Sequence, residues 1–154
     1  MRSGLVVVGL MAAVSLVITL WAQVGIAAID DAWLAYENKQ YEKAYSLASK
    51  TFRENPADER VNFALGMTAI ATRRYSHAQF AFERVLMANP DNLRARAELG
   101  RVLFLMEQYE LAEEEFEKVL DRDPPPTVER NIREYTEQID RRTRKSRLDA
   151  ALTV

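Results

Sequence analysis

The chain has 154 residues, with 21 basic and 23 acidic side chains, one histidine, no cysteine and a formal net charge of −2. That near-neutral balance nominates neither nucleic acid nor any other strongly charged partner, and the absence of thiols excludes a disulfide framework, a thiol nucleophile and a lipobox anchor. The length is one domain's worth, with enough apolar content to bury a stacked core.

At the N-terminus, Arg2 precedes an uncharged apolar run from Leu5 to Leu20, and Trp21 to Ala28 follows with small residues near its end. A short basic region, an apolar core and a small-residue exit describe a secretory signal over residues 1–28, with cleavage after Ala27 or Ala28. The alternative is an uncleaved membrane anchor, because Ser3 to Ile29 carries no charge and is long enough to span a bilayer. On either reading the remainder is exported and is periplasmic or envelope-associated.

Helical spacing begins almost at once. Asp30 is placed to cap a first helix running to about Asn38, and its partner helix spans about Tyr41–Glu54. Helices near Asp58–Thr72 and Ser76–Ala88 follow, then one capped by Asn92 and running to about Met106, then one over Glu110–Arg122. After three consecutive prolines to Pro126, Thr127 is a good cap for a helix to about Arg147. Its apolar stripe (Val128, Ile132, Tyr135, Ile139) lies opposite a charged face, the pattern of a capping helix over 127–147. From 148 to 154 the period changes: Leu148, Ala150, Leu152 and Val154 alternate with other residues, which predicts a strand-like tail.

Superimposed on these elements is a fixed step of 34 residues. It relates Pro56, Pro90 and Pro124, then Tyr41, Tyr75 and Tyr109, then Ala44, Ala78 and Ala112. Leu65-Gly66 recurs as Leu99-Gly100, and Phe82-Glu83 with Val85-Leu86 recurs as Phe116-Glu117 with Val119-Leu120. Self-similarity at this period marks a stack of helix-turn-helix units. Gly66, Gly100 and the alanines let paired helices approach closely, the tyrosines fill the wedge after each inter-helix turn, and the prolines stop each second helix. The expected fold is all-α: a solenoid of about three repeats, a degenerate one over 29–58 and regular ones over 59–92 and 93–126, plus the C-terminal capping helix.

Leu-Gly followed by Tyr, Ala, Phe and Pro at these offsets resembles the tetratricopeptide repeat (TPR), over about Ile29 to Pro126. The first unit departs from the pattern, with Asp31 and Ala32 in place of Leu-Gly, as a solenoid terminus should. In stacked helix pairs the first helices line an inner groove. The candidates for a protein-binding groove are therefore Trp33, Tyr36, Arg60, Phe63, Met67, Ile70, Arg94, Arg101 and Phe104, a mixture of aromatics, Met and Arg suited to a peptide. For Phe63, Ile70 and Phe104 the alternative is inter-repeat core. The Lys/Asn/Arg set of the carboxylate clamp that the resemblance would supply is not present.

Chemistry finds little footing. His77 has no second histidine or cysteine to complete a catalytic or metal site, and it reads as a surface residue. Glu113, Glu114, Glu115 and Glu117 point in different directions around a helix and read as a solvated face rather than a cation site. No glycine-rich phosphate loop occurs, so neither an enzyme nor a cofactor is expected. The basic run Arg141, Arg142, Arg144, Lys145 and Arg147 reads as a solvated helix end, with contact to anionic lipid as the functional alternative.

A narrower resemblance covers Phe82 through Arg142. Arg96 to Arg101, Tyr109 to Glu113 with Phe116-Glu117, and Pro125-Pro126 followed by Val128, Asn131-Ile132, Tyr135, Ile139 and Arg142 resemble the periplasmic repeat domain of the surface lipoprotein assembly modifier (Slam) family. In that family the repeats precede an outer-membrane β-barrel, which is missing here, and residues 148–154 resemble the opening of its first strand. The resemblance implies a non-catalytic periplasmic module that helps deliver exported or surface lipoproteins at the outer membrane, with the client and a barrel as partners. The alternative is a membrane-anchored scaffold for assembly of an envelope complex.

Overall fold

The computed structural model describes residues 28–152, which contain seven α-helices and no strand. These are α1 (28–37), α2 (Tyr41–Glu54), α3 (Glu59–Ala71), α4 (Tyr75–Ala88), α5 (Leu93–Leu105), α6 (Tyr109–Leu120) and α7 (Pro126–Leu152). They nest in successive pairs, α1 with α2, α3 with α4 and α5 with α6, and α7 closes the C-terminal end. Among the described residues no helix is long and apolar enough to cross a membrane, and the signal or anchor segment lies outside them except for Ala28.

Two starts follow the sequence chemistry. Asp58 accepts from the Arg60 and Val61 amides at 2.8 and 3.2 Å, and Asn92 accepts from the Ala95 amide at 2.9 Å, so each cap satisfies donors that the first turn leaves orphaned. The turns inside the pairs are a different matter, because none contains glycine. Lys39, Arg73 and Glu107, one repeat apart, hold φ values of 59°, 60° and 60°. Around each, the next amide reaches back to a carbonyl five residues earlier: Gln40 to Ala35 at 2.9 Å, Arg74 to Ala69 at 2.8 Å and Gln108 to Leu103 at 2.9 Å. This is the Schellman closure, built three times on a charged residue.

Close packing explains the repeated small residues. Ala44, Ala78 and Ala112 are fully buried, and a Cβ on Gly66 or Gly100 would come within 2.6 Å of the ring of Phe82 or Phe116. The glycines thus seat the phenylalanine of the partner helix. Tyr75 and Tyr109 pack on the core. Tyr41 instead stays 37% exposed beside Tyr36, since the adjacent Ala71 and Thr72 are too small to cover it.

The joints between pairs share one device built from different side chains. The Pro56 carbonyl accepts from Asn62 Nδ2 at 2.9 Å and Arg84 Nη2 at 2.6 Å, and Arg84 Nε also donates to Asn62 Oδ1 at 3.1 Å. One repeat later the Pro90 carbonyl accepts from Arg96 Nη2 at 2.7 Å, and Arg96 is held by Glu115 at 2.8 Å. The exposed end of each second helix is thereby tied to the pair that follows.

Three expectations are corrected. Asp30 lies inside α1 rather than before it, and faces Arg60 at 3.6 Å instead of capping. Helix α7 starts one residue early. Pro126 takes the first helical position, where its missing N–H costs nothing, and the Pro125 carbonyl accepts from Val128 and Glu129 at 2.8 and 3.1 Å, which leaves Thr127 within the first turn. The strand-like tail is helix as far as Leu152. A lone strand would leave its backbone groups unpaired, whereas a helix already formed propagates through residues free of Gly and Pro, and Leu148 and Leu152 also fit its i,i+4 spacing. Residues 153–154 of that expected tail lie outside the described residues.

Candidate functional site

The inner face is formed by α1, α3, α5 and α7, and it is divided into two clefts. The first, of about 580 Å³, is lined by Trp33 and Tyr36 of α1, Arg60, Phe63 and Met67 of α3, and Arg94 of α5, with Glu37, Glu59 and Asn92 at its edges. The structure therefore brings six of the nine groove candidates together. Arg101 lines the second cleft, of about 710 Å³, between α5 and α7, and Arg94 is shared by both. Ile70 and Phe104 line neither: they are 7% and 5% exposed and belong to the core, and Phe104 is covered by Tyr135 at 5.0 Å.

In the first cleft Trp33 meets Tyr36 edge-on at 5.7 Å and Phe63 at 6.4 Å. The Arg94 guanidinium lies 4.4 Å from the Phe63 ring centroid, a cation–π contact at the boundary between the clefts. Glu59 accepts from Asn92 Nδ2 at 2.7 Å, linking the starts of α3 and α5.

The second cleft is floored by Tyr135, beneath which Phe116, only 1% exposed, stacks at 5.6 Å and 15°. Leu93 and Ala97 form one wall, Val128 and Asn131 the other, and Pro124 and Pro125 close one end. Arg101 is held by Glu98 at 2.9 Å. Sequence reasoning read the α7 stripe only as a cap and so missed this half of the groove. The available signal was that Asn131 and Gln138 flank the stripe on a helix that must face α5.

The remaining sequence candidates are placed elsewhere. His77 is exposed and shares a hydrogen bond with the Tyr45 hydroxyl, and Arg74 lies over the Tyr45 ring and pairs with Glu42 at 3.0 Å. Glu115 is taken up by Arg96 and Lys118, and no metal-binding group of His, Cys, Asp or Glu occurs among the described residues. In the basic run, Arg141 and Arg144 face Glu137 and Asp140 at 3.6 and 3.3 Å. Arg142 donates to the Tyr109 hydroxyl at 3.1 Å over the Phe104 ring, clasping α7 to α6 and α5.

Glu113 carries a pH dependence. Burial, then Asp140 on α7, then Glu117 and Glu110 on its own helix raise its carboxyl above the ordinary value. Such a group binds its proton more tightly folded than unfolded, so stability falls as pH rises from the unfolded value through the folded one. Glu113→Gln is expected to raise Tm at neutral pH, with the gain disappearing as pH drops below about 4. Thermal melts at the two pH values check this, and an equal gain at both would place its origin elsewhere.

Comparison with known proteins bears on the architecture. A tetratricopeptide repeat family model matches residues 69–130. The Sgt2 TPR domain from Aspergillus fumigatus superimposes with a TM-score of 0.69 at 20% identity, over 78% of this chain and 82% of that one. The type III secretion translocator chaperone SycD from Yersinia enterocolitica gives 0.70 at 16% identity, over 79% and 95%. The first TPR of Spaghetti (RPAP3), bound to an HSP90 peptide, gives 0.68 at 13% identity, over 77% and 94%. No curated protein sequence matches. None of these matches indicates an enzymatic family, and at such identities the structural likeness speaks to fold alone. Residues 69–130 match the tetratricopeptide repeat, and the described residues have the fold of a TPR solenoid.

Proposed function

We propose that this protein is a non-catalytic periplasmic adaptor that holds an exported client polypeptide on its inner face, the client being a lipoprotein bound for the outer membrane. The observation that carries the reading is the pair of aromatic-floored clefts along one face, the shape and composition of a surface that grips another chain. The apolar N-terminal segment supports export, and the resemblance of Phe82–Arg142 to the Slam repeat domain supports the client class. The helical course of residues 148–152 withdraws the strand-like tail from that support. Of the neighbours, one is a secretion translocator chaperone and another was solved with a peptide bound, which suits a client-holding role here.

The test is photo-crosslinking from Trp33 and Arg94 in intact envelope, followed by identification of the adducts. Lipoproteins and an outer-membrane barrel are the expected adducts, whereas recovery of only inner-membrane or peptidoglycan proteins would overturn the proposal. The anchored-scaffold alternative is separated by the mass of the mature N-terminus, because a start near Ile29 removes the anchor.

A further inference from the structure

We infer that the α5–α7 cleft takes an uncharged, extended segment of the client, seating apolar side chains against Leu93, Val128 and Tyr135 while Asn131 and Gln138 hold its backbone. This deepens the adaptor reading and rests on it.

Charge supports this choice. The ionisable lining is Arg94, Arg101, Glu98 and Glu134, two of each sign, with Arg101 already neutralised by Glu98 at 2.9 Å. The first cleft is balanced in the same way, by Arg60 and Arg94 against Glu37 and Glu59. Against a lining of no net charge an acidic segment or free carboxylate gains no overall attraction, and Glu98 and Glu134 offset the one arginine, Arg94, that has no carboxylate in contact.

Shape and hydrogen-bonding capacity complete the argument. A volume of about 710 Å³ over an aromatic floor accommodates a few side chains, and Ala97 leaves room for them opposite Val128. Pro124 and Pro125 at one end offer no amide donors, so polar anchoring falls to the other rim. There Asn131 and Gln138 lie seven residues apart on α7, about 10 Å along the axis, which is close to the reach of three residues of extended chain. Each carboxamide both donates and accepts, as the alternating N–H and C=O groups of such a segment require.

The experiment uses the protein purified as the cell processes it, with fluorescence anisotropy of three labelled, end-blocked peptides. These are a Ser/Gly peptide bearing Leu and Phe, the same peptide with Asp at both positions, and the plain Ser/Gly peptide. The Leu/Phe peptide is expected to bind at least about tenfold tighter than the others, with little change between low and high salt. Asn131→Ala, on an exposed position, is expected to weaken it about two- to tenfold. Ala97→Phe should block it with unchanged helical circular dichroism, while Met87→Ala on the outer face leaves it intact. Glu98→Gln with Glu134→Gln unmasks the arginines and should turn the preference toward the Asp peptide. Tighter binding of the Asp peptide to the unaltered protein, or binding of the Leu/Phe peptide indifferent to both Asn131→Ala and Ala97→Phe, overturns the inference. If crosslinked client maps only to the first cleft, this inference falls while the adaptor reading stands. If the peptides behave as stated but no exported client is recovered, the adaptor reading falls and takes the source of the segment with it, while the ligand class of the cleft stands.

Discussion

Replacing Phe82 by alanine is expected to cost about 3–5 kcal/mol, the range for deleting a fully enclosed aromatic ring. Phe82 has no exposed surface, meets Phe63 edge-on at 5.5 Å, and rests directly on the α3 backbone at Gly66. The hole it would leave cannot collapse easily, because the residue facing it has no side chain to swing in. Against a typical domain stability of about 5–15 kcal/mol, this loss removes much of the margin. Urea unfolding followed by circular dichroism should show a large fall in midpoint. A loss below about 1 kcal/mol would mean that the ring is not packed as described. The effect extends to the inner face, because Phe63 lines the first cleft and carries the Arg94 guanidinium on its ring.

The converse substitution, Gly66→Ala, sets two effects against each other. Alanine favours a helix over glycine by about 1 kcal/mol. Its Cβ, however, would lie 2.6, 2.7 and 2.8 Å from three atoms of the enclosed Phe82 ring, and overpacking of this kind costs about 1–3 kcal/mol. Steric cost is expected to win, giving net destabilisation in the same unfolding assay. Phe82→Leu placed in the Gly66→Ala background should then cost less than Phe82→Leu alone, a non-additivity that marks direct contact. Gly100→Ala makes an informative contrast. Phe116 meets the added atom at 2.6, 2.8 and 3.2 Å, a looser fit than at Gly66, and its ring lies under Tyr135 of the second cleft. That variant should lose less stability and disturb peptide binding more.

Much of the architecture could be read directly from the residues, because a stack repeats its packing problem at every step. Recurring Leu-Gly, Tyr, Ala, Phe and Pro located the helix pairs, and the boundaries of α2 to α6 fell within about two residues of those in the structure. The capped starts at Asp58 and Asn92 were legible because the capping interaction is local. The turns at Lys39, Arg73 and Glu107 were not, since a charged residue carries no signal for the left-handed conformation that the Schellman closure requires of it. Residues 148–152 misled because Leu148, Ala150 and Leu152 fit a two-residue period while Leu148 and Leu152 also fit a helical one, and only continuity with α7 decides between them.

The site was legible in part. Facing directions on α1 and α3 gave Trp33, Tyr36, Arg60, Phe63 and Met67, but Ile70 and Phe104 sit near the ends of their helices, where the next helix covers them. The α7 wall was missed because a closing helix was expected to seal the stack rather than to stand off from α5 and leave a cleft. Neutralisation of Arg101 by Glu98 was within reach as an i,i+3 pair.

The left-handed residues at the three Schellman turns have a consequence for how the array can be tuned. Each keeps a side chain in a backbone conformation that costs an L-residue roughly 1–2 kcal/mol, and all three sit out in solvent, lining neither cleft. The solenoid therefore has three evenly spaced adjustment points, through which the sturdiness of individual units could drift over evolutionary time while the gripping surface stayed the same.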